Sequence, residues 1–199
     1  MPYPNKYFTK LVGVGNVLAA SDILLQTVDV VNTTKPVALP RIALTQVTEL
    51  IHRSFATVAE DFHLTPANCC YHPAFLPDAE YARQLCSPKV INIGVFTQTA
   101  GTPDLIGFVS IHRYKRKRGM WEMKRLCTAP QNRHSGIGGL LVAEAKRQAA
   151  EQGAKEVYID IIEENQVLKR WYIAHGFRET GQEVIEGLPF TIGKMTCGL

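Results

Sequence analysis

The segment Arg133-His134-Ser135-Gly136-Ile137-Gly138-Gly139 is the stretch of this chain whose residue types and order say most about chemistry. It follows a strand-like run and Pro130, and it opens a pattern of helical periodicity. Amides at a helix start lack intrahelical acceptors and sit at the positive end of the macrodipole, while glycines let an anion approach the backbone. The expected guest is a pyrophosphate. A dinucleotide-binding turn would need Gly-x-Gly-x-x-Gly, and here Leu141 stands where the third glycine belongs. Cys69 and Cys70, with His63 and His72, lack the two-residue spacer of a zinc site, so no metal is expected.

The elements that must hold this turn can be read from periodicity. Residues 27–32 are β-branched and predict a strand, and residues 43–58 place Leu44, Val47, Ile51 and Phe55 on one helical face. Pro66, Pro73, Pro77 and Pro88 make residues 60–88 irregular, with room for a short helix from Asp78 to Leu85. Val90 to Thr97 and Leu105 to Tyr114 read as strands joined by a hairpin loop over 98–104. A second hairpin, through Lys115 to Gly119, leads into a strand from Trp121 to Thr128. Ile137, Leu140, Leu141, Ala145 and Ala149 give a helix over 136–152 that Gly153 can stop. Val157 to Ile162 is a strand, Asn165 caps a helix carrying Leu168 and Tyr172, and Gly176 ends it. Two further strands are expected in 177–198, around Gly187-Leu188-Pro189.

Composition sets the outer bounds. With 199 residues, 46% of them hydrophobic, the chain suits one globular domain, expected over 27–199 with 1–26 as an N-terminal extension. A net charge of +4 suits an anionic ligand and falls short of a dedicated nucleic-acid binder. The run from Arg113 to Arg118 with Trp121 nearby could bind RNA, but a basic hairpin tip is more simply a solvated edge. Five irregularly spaced cysteines favour a reducing, cytoplasmic setting. Residues 8–20 resemble a secretion signal, interrupted by Gly13, Gly15 and Asn16, and no apolar stretch elsewhere is long enough to span a membrane.

Three features together resemble the GNAT superfamily of coenzyme A-dependent N-acyltransferases. They are Arg133-His134-Ser135-Gly136-Ile137-Gly138 as the Arg/Gln-x-x-Gly-x-Gly/Ala signature, the Asn165, Leu168, Tyr172, Gly176 and Phe177 spacing, and the β-α-β-β-β-α-β-α-β-β order. The resemblance implies an α/β domain with a mixed, mostly antiparallel central sheet flanked by helices. It further implies acetyl-CoA as co-substrate, its pyrophosphate on the amides from Arg133 to Gly139 and its pantetheine against the backbone of Leu126 and Thr128. Glu122 matches the position of a catalytic glutamate in some members, and strand alternation would put it on one face with Leu126 and Thr128. A solvated glutamate paired with Lys124 or Arg125 is the competing account. Tyr172 matches the family's general acid, against the simpler role of a core tyrosine, and an amide near Leu126 would hold the oxyanion. Asn165 can cap its helix and touch the cofactor. The expected reaction joins acetyl-CoA and an amine acceptor, with a homodimer allowed and neither membrane nor nucleic acid as partner. The rival is a non-catalytic acyl-CoA-binding regulatory module. Nothing in the candidate acceptor segments, 56–75 with Glu60, Asp61, His63 and His72, and Glu186 to Thr191, names the amine.

Overall fold

A computed structural model describes residues 22–31, 41–97 and 103–199. The signal-like run and most of the loop expected over 98–104 therefore lie outside the described residues. The strands are β1 (Ile23–Val31), β2 (Arg41–Ala43), β3 (Val90–Thr97), β4 (Leu105–Arg113), β5 (Met120–Thr128), β6 (Glu156–Ile162), β7 (Arg178–Val184) and β8 (Thr191–Gly198). They form one sheet in the order β2-β1-β3-β4-β5-β6-β8-β7. Among the described residues only the β1–β2 and β5–β6 pairs are parallel.

Among the described residues four α-helices accompany the sheet: α1 (Leu44–Asp61), α2 (Asp78–Leu85), α3 (Ile137–Glu151) and α4 (Gln166–Ala174). Leu44, Val47 and Ile51 recur at helical spacing on α1, and their burial seats it on the sheet, each large side chain stabilising the fold by about 2 kcal/mol. The short helix for which the sequence left room forms as α2 over Asp78–Leu85, and the element the expected order lacked is β2. Three residues are too few to show a period, and β2 runs directly into α1, so the sequence offers no break between them. β1 also starts earlier than expected, because Ile23, Leu24 and Leu25 continue the pairing with β3 opposite Thr97, Phe96 and Val95.

Two apolar layers cover the sheet. Trp121, Met123, Val157, Ile159 and Met195 meet Leu141, Ala145 and Tyr172 on the face of α3 and α4. Val28, Phe108 and Cys127 meet Leu50, Ile51 and Tyr81 on the face of α1 and α2. Along β6 and β8 this second face changes character, with Tyr158, Asp160, Lys194 and Thr196 alternating with the apolar residues of the first layer.

Candidate active site

The strand β5 is where the site is made. Its pairing with β6 stops at Glu122, opposite Tyr158, so the two parallel strands part beyond that point. Its pairing with β4 shifts register between Phe108 and Ser110, and Arg125 there adopts φ 56°. This is a β-bulge, one extra residue that inverts the alternation of everything after it. The consequence corrects the expectation for Glu122. Trp121 and Met123 belong to the α3 layer and Leu126 packs against that same layer, whereas Cys127 lies in the α1 layer. Glu122 therefore faces the opposite side from Leu126 and, by alternation, from Thr128.

The bulge also fixes the strand's outer edge. The Ala129 amide donates to the Ile106 carbonyl at 2.8 Å, and Cys127 is the register partner of Phe108. Alternation then turns the backbone groups of Leu126 and Thr128 away from β4 toward the parting with β6. The Thr128 carbonyl accepts from the Ser54 hydroxyl at 3.2 Å and keeps one lone pair open.

Beyond β5 a single 3-10 turn, Pro130–Asn132, leads into the glycine segment. Gly136 is the residue before α3 and has φ 84°, a left-handed conformation that a Cβ would strain. From His134 to Gly139 no backbone amide finds an acceptor among the described residues, and the first amide of the region that does is Leu140, to Gly136 at 3.1 Å. A row of unengaged amides at the positive end of a fifteen-residue helix is an arrangement with the chemistry to hold an anion.

Gly138 and Gly139 have a second purpose that the sequence did not reveal. A Cβ on Gly138 would lie 3.2 Å from the Trp171 ring, and one on Gly139 would lie 3.1 Å from Nε2 of His175. These two glycines let α4 close on the start of α3. His175 is the C-terminal cap of α4, its Nδ1 is 2.8 Å from the Trp171 carbonyl, and its ring lies 4.0 Å from that of Trp171. Arg133 was expected to offer its amide, and that amide donates to the Pro130 carbonyl at 3.3 Å. Its guanidinium donates to the Ser54 carbonyl at 2.7 Å and to the Thr57 hydroxyl at 2.9 Å, so the side chain ties the turn to α1. His134 and Gly136 are exposed, Ser135 and Ile137 are buried, and the Ser135 hydroxyl donates to the Asn132 carbonyl at 2.5 Å.

Glu122 is buried, not solvated. Its Oε1 lies 2.8 Å from Nζ of Lys124 and its Oε2 lies 3.1 Å from Nε2 of His112. Burial raises its pKa, but the hydrogen bonds from His112 and Lys124 and their charge outweigh burial and hold it below the usual carboxylate range. His112 was missed in the sequence, although the hairpin register makes it the cross-strand partner of Glu122. Its side chain is 27% exposed against 10% for Glu122, so it links the buried carboxylate to solvent.

Tyr172 lies on the other side of the sheet. Its ring meets those of Trp171 at 5.0 Å and Phe177 at 5.3 Å, and burial raises its pKa above that of a free phenol. The ring is thus core, as the simpler account held, yet its hydroxyl has no hydrogen-bond partner among the described residues. Asn165 caps α4, its Oδ1 accepting from the Leu168 amide at 3.0 Å. Glu122 thus stands where β5 and β6 part, and Tyr172 belongs to the layer on the opposite face of the sheet.

The loop from α1 to α2 forms a wall over the end of β6. Phe62, Ala74, Phe75 and Ile162 gather with Leu188 and Phe190 around buried Ala59, Leu64 and Cys69. His72, a candidate substrate residue in the sequence, is part of this wall's interior. It sits between Phe55 and Phe75, and burial lowers its pKa to about 4. Among the described residues no cluster of metal-ligating side chains occurs, and no helix is long and apolar enough to cross a membrane.

A family model described as the acetyltransferase (GNAT) family matches residues 62–177. No curated protein matches the chain by sequence. Among solved structures, a nourseothricin acetyltransferase is 22% identical, covering 56% of this chain and 66% of its own length, with a TM-score of 0.50. The ribosomal-protein-S18-alanine N-acetyltransferase of Escherichia coli is 11% identical over 88% of this chain and 93% of its own, with a TM-score of 0.61. The PaiA N-acetyltransferase of Thermoplasma acidophilum, solved with coenzyme A, is 20% identical over 78% and 92%, with a TM-score of 0.55. At these identities the structures share the fold.

Proposed function

Since the chain belongs to the GNAT family of acetyltransferases, we propose that it moves the acetyl group of acetyl-CoA directly onto a primary amine. The observation that carries this reading is the unengaged row of amides from His134 to Gly139 at the end of a strand whose outer edge is free. The pyrophosphate accepts from that row, and the pantetheine runs along Leu126 and Thr128 like an added strand. The thioester then reaches the parting of β5 and β6. Asn165 sits at the start of α4, within the cofactor-side helix, and adds a polar contact to its capping role.

The amine must be neutral to attack, and at pH 7 deprotonating an ammonium of pKa about 10.4 costs about 5 kcal/mol. Glu122 takes that proton, directly or through a water, and His112 extends the path outward. The amine nitrogen bonds to the carbonyl carbon, and the oxyanion is held by the Leu126 amide, a donor worth about 3 kcal/mol. The C–S bond then breaks. The nitrogen gives up its second proton to solvent by the same path, and the leaving thiolate takes a proton on the other face from the Tyr172 hydroxyl, which its raised pKa keeps protonated at neutrality and which solvent then restores. The five free cysteines fit a cytoplasmic setting.

Thiol release from acetyl-CoA across a panel of amines tests the proposal. Amine-dependent release is expected. Acetyl-CoA binding without release for any amine would instead identify a binding module.

A further inference from the structure

In the proposed reaction the amine must reach two groups of β5: Glu122, which takes its proton, and the Leu126 amide, which holds the oxyanion. One amine of the chain itself stands between them. Lys124 follows Glu122 by two residues and precedes Leu126 by two, within about 7 Å of each along the strand. Its Nζ lies 2.8 Å from Oε1 of Glu122, while Oε2 is taken by His112 at 3.1 Å. Lys124 is the more exposed partner, its side chain 43% accessible against 27% for His112. Oε1 therefore faces the open side, and the ammonium there sits where an incoming amine would meet the carboxylate.

The backbone that carries Lys124 is fixed. Ser110 is its register partner on β4, and the buried Ser110 hydroxyl donates to the Lys124 carbonyl at 3.2 Å. The side chain is not fixed in the same way, since a flexible four-carbon stem can swing Nζ from Glu122 toward Leu126. Lys117, Lys169 and Lys194 are bound to other glutamates, so among the described residues Lys124 is the lysine presented to this carboxylate.

We propose that Lys124 is a self-acetylation site: with acetyl-CoA bound and no acceptor in place, its Nζ takes the acetyl group within the same molecule. This rests on the transferase reading and adds a second fate for the acetyl group. The ammonium gives one proton to Glu122, the neutral nitrogen bonds to the carbonyl carbon, and the C–S bond breaks as the nitrogen sheds its second proton. The CoA thiolate takes up a proton, so each transfer yields an amide, a free thiol and one proton released to solvent. An amide nitrogen is not a nucleophile, and the reaction stops there. Acetylation also removes one of the charges that, against the effect of burial, hold Glu122 below the usual carboxylate range.

The test incubates the protein with acetyl-CoA and no added amine, and maps acetyl-lysine by peptide mass spectrometry. Exposed Lys115 is the reference for unassisted acetylation. Lys124 should react roughly tenfold faster than Lys115 or more, at a first-order rate that does not change with protein concentration. Glu122→Gln should slow that reaction roughly a hundredfold or more, and Lys124→Arg should abolish the fast modification. Circular dichroism and acetyl-CoA affinity report whether each variant folds. Labelling of Lys124 no faster than of Lys115, a rate that rises with protein concentration, or an unchanged rate in a folded Glu122→Gln variant overturns the inference. In that event amine-dependent thiol release from the same preparation leaves the transferase reading intact, and its absence overturns both.

Discussion

The two halves of the proposed active site are built from different materials. The cofactor half, from Leu126 through Gly139, presents backbone amides and a free strand edge, and its side chains serve to hold that backbone in place. Arg133 reaches back to Ser54 and Thr57, while Gly138 and Gly139 admit Trp171 and His175. The half proposed for the acceptor presents side chains: Glu122 with His112 on the sheet, and a wall around His72 and Phe75. A backbone site binds one ligand with many sequences, provided the glycines remain. A side-chain site changes its ligand with every substitution.

Substitutions should separate the halves. The largest effect is expected on the acceptor side, where Glu122→Gln should lower kcat by between roughly a hundredfold and ten-thousandfold, with acetyl-CoA affinity little changed in titration. Loss of cofactor binding together with rate would show that Glu122 shapes both halves.

Acid should also act on the acceptor half. The folded pKa of His72, about 4, lies below the ordinary value of 6.5, so the unfolded chain takes up a proton first as pH falls. Stability is therefore complete above about pH 6.5 and is lost on acidification toward pH 4, by about 3 kcal/mol from this group. Melting temperatures across that window measure it. His72→Gln, which retains an acceptor for the Ala74 amide, should flatten the dependence.

On the cofactor side, Gly136→Val forces a Cβ into φ 84° and should cost about 1–2 kcal/mol of stability. It should weaken acetyl-CoA binding in the same measure or more. Tyr172→Phe should lower kcat roughly tenfold, the worth of one hydrogen bond to a charged group, while cofactor affinity stays near wild type. An unchanged rate would remove Tyr172 from the acid role. The smallest change is expected for Arg133→Ala, about 1 kcal/mol of stability from the lost bonds to α1, with weaker dependence of binding on this cation than its place in the signature suggests.

The same contrast explains what could be read from the sequence. The glycine turn, the Asn165 cap and the order of long elements follow from local rules, since periodicity, caps and glycine act within a few residues. Glu122 was placed on the wrong face relative to Leu126 because one bulge at Arg125 inverts the alternation, and nothing in Lys124-Arg125-Leu126 announces it. The pairing of His112 with Glu122 depends on which strands become neighbours, a property of the sheet and not of any segment. The tie of Arg133 to α1 joins residues far apart in the chain, and no local pattern encodes it.

The central claim is that the amides from His134 to Gly139 hold the pyrophosphate of acetyl-CoA. An amide-resolved NMR titration with acetyl-CoA tests it most directly. The account predicts the largest shifts at those amides and at Leu126 and Thr128, with smaller changes around Asp160 and His72. Saturable binding that leaves the row from His134 to Gly139 unmoved would contradict it.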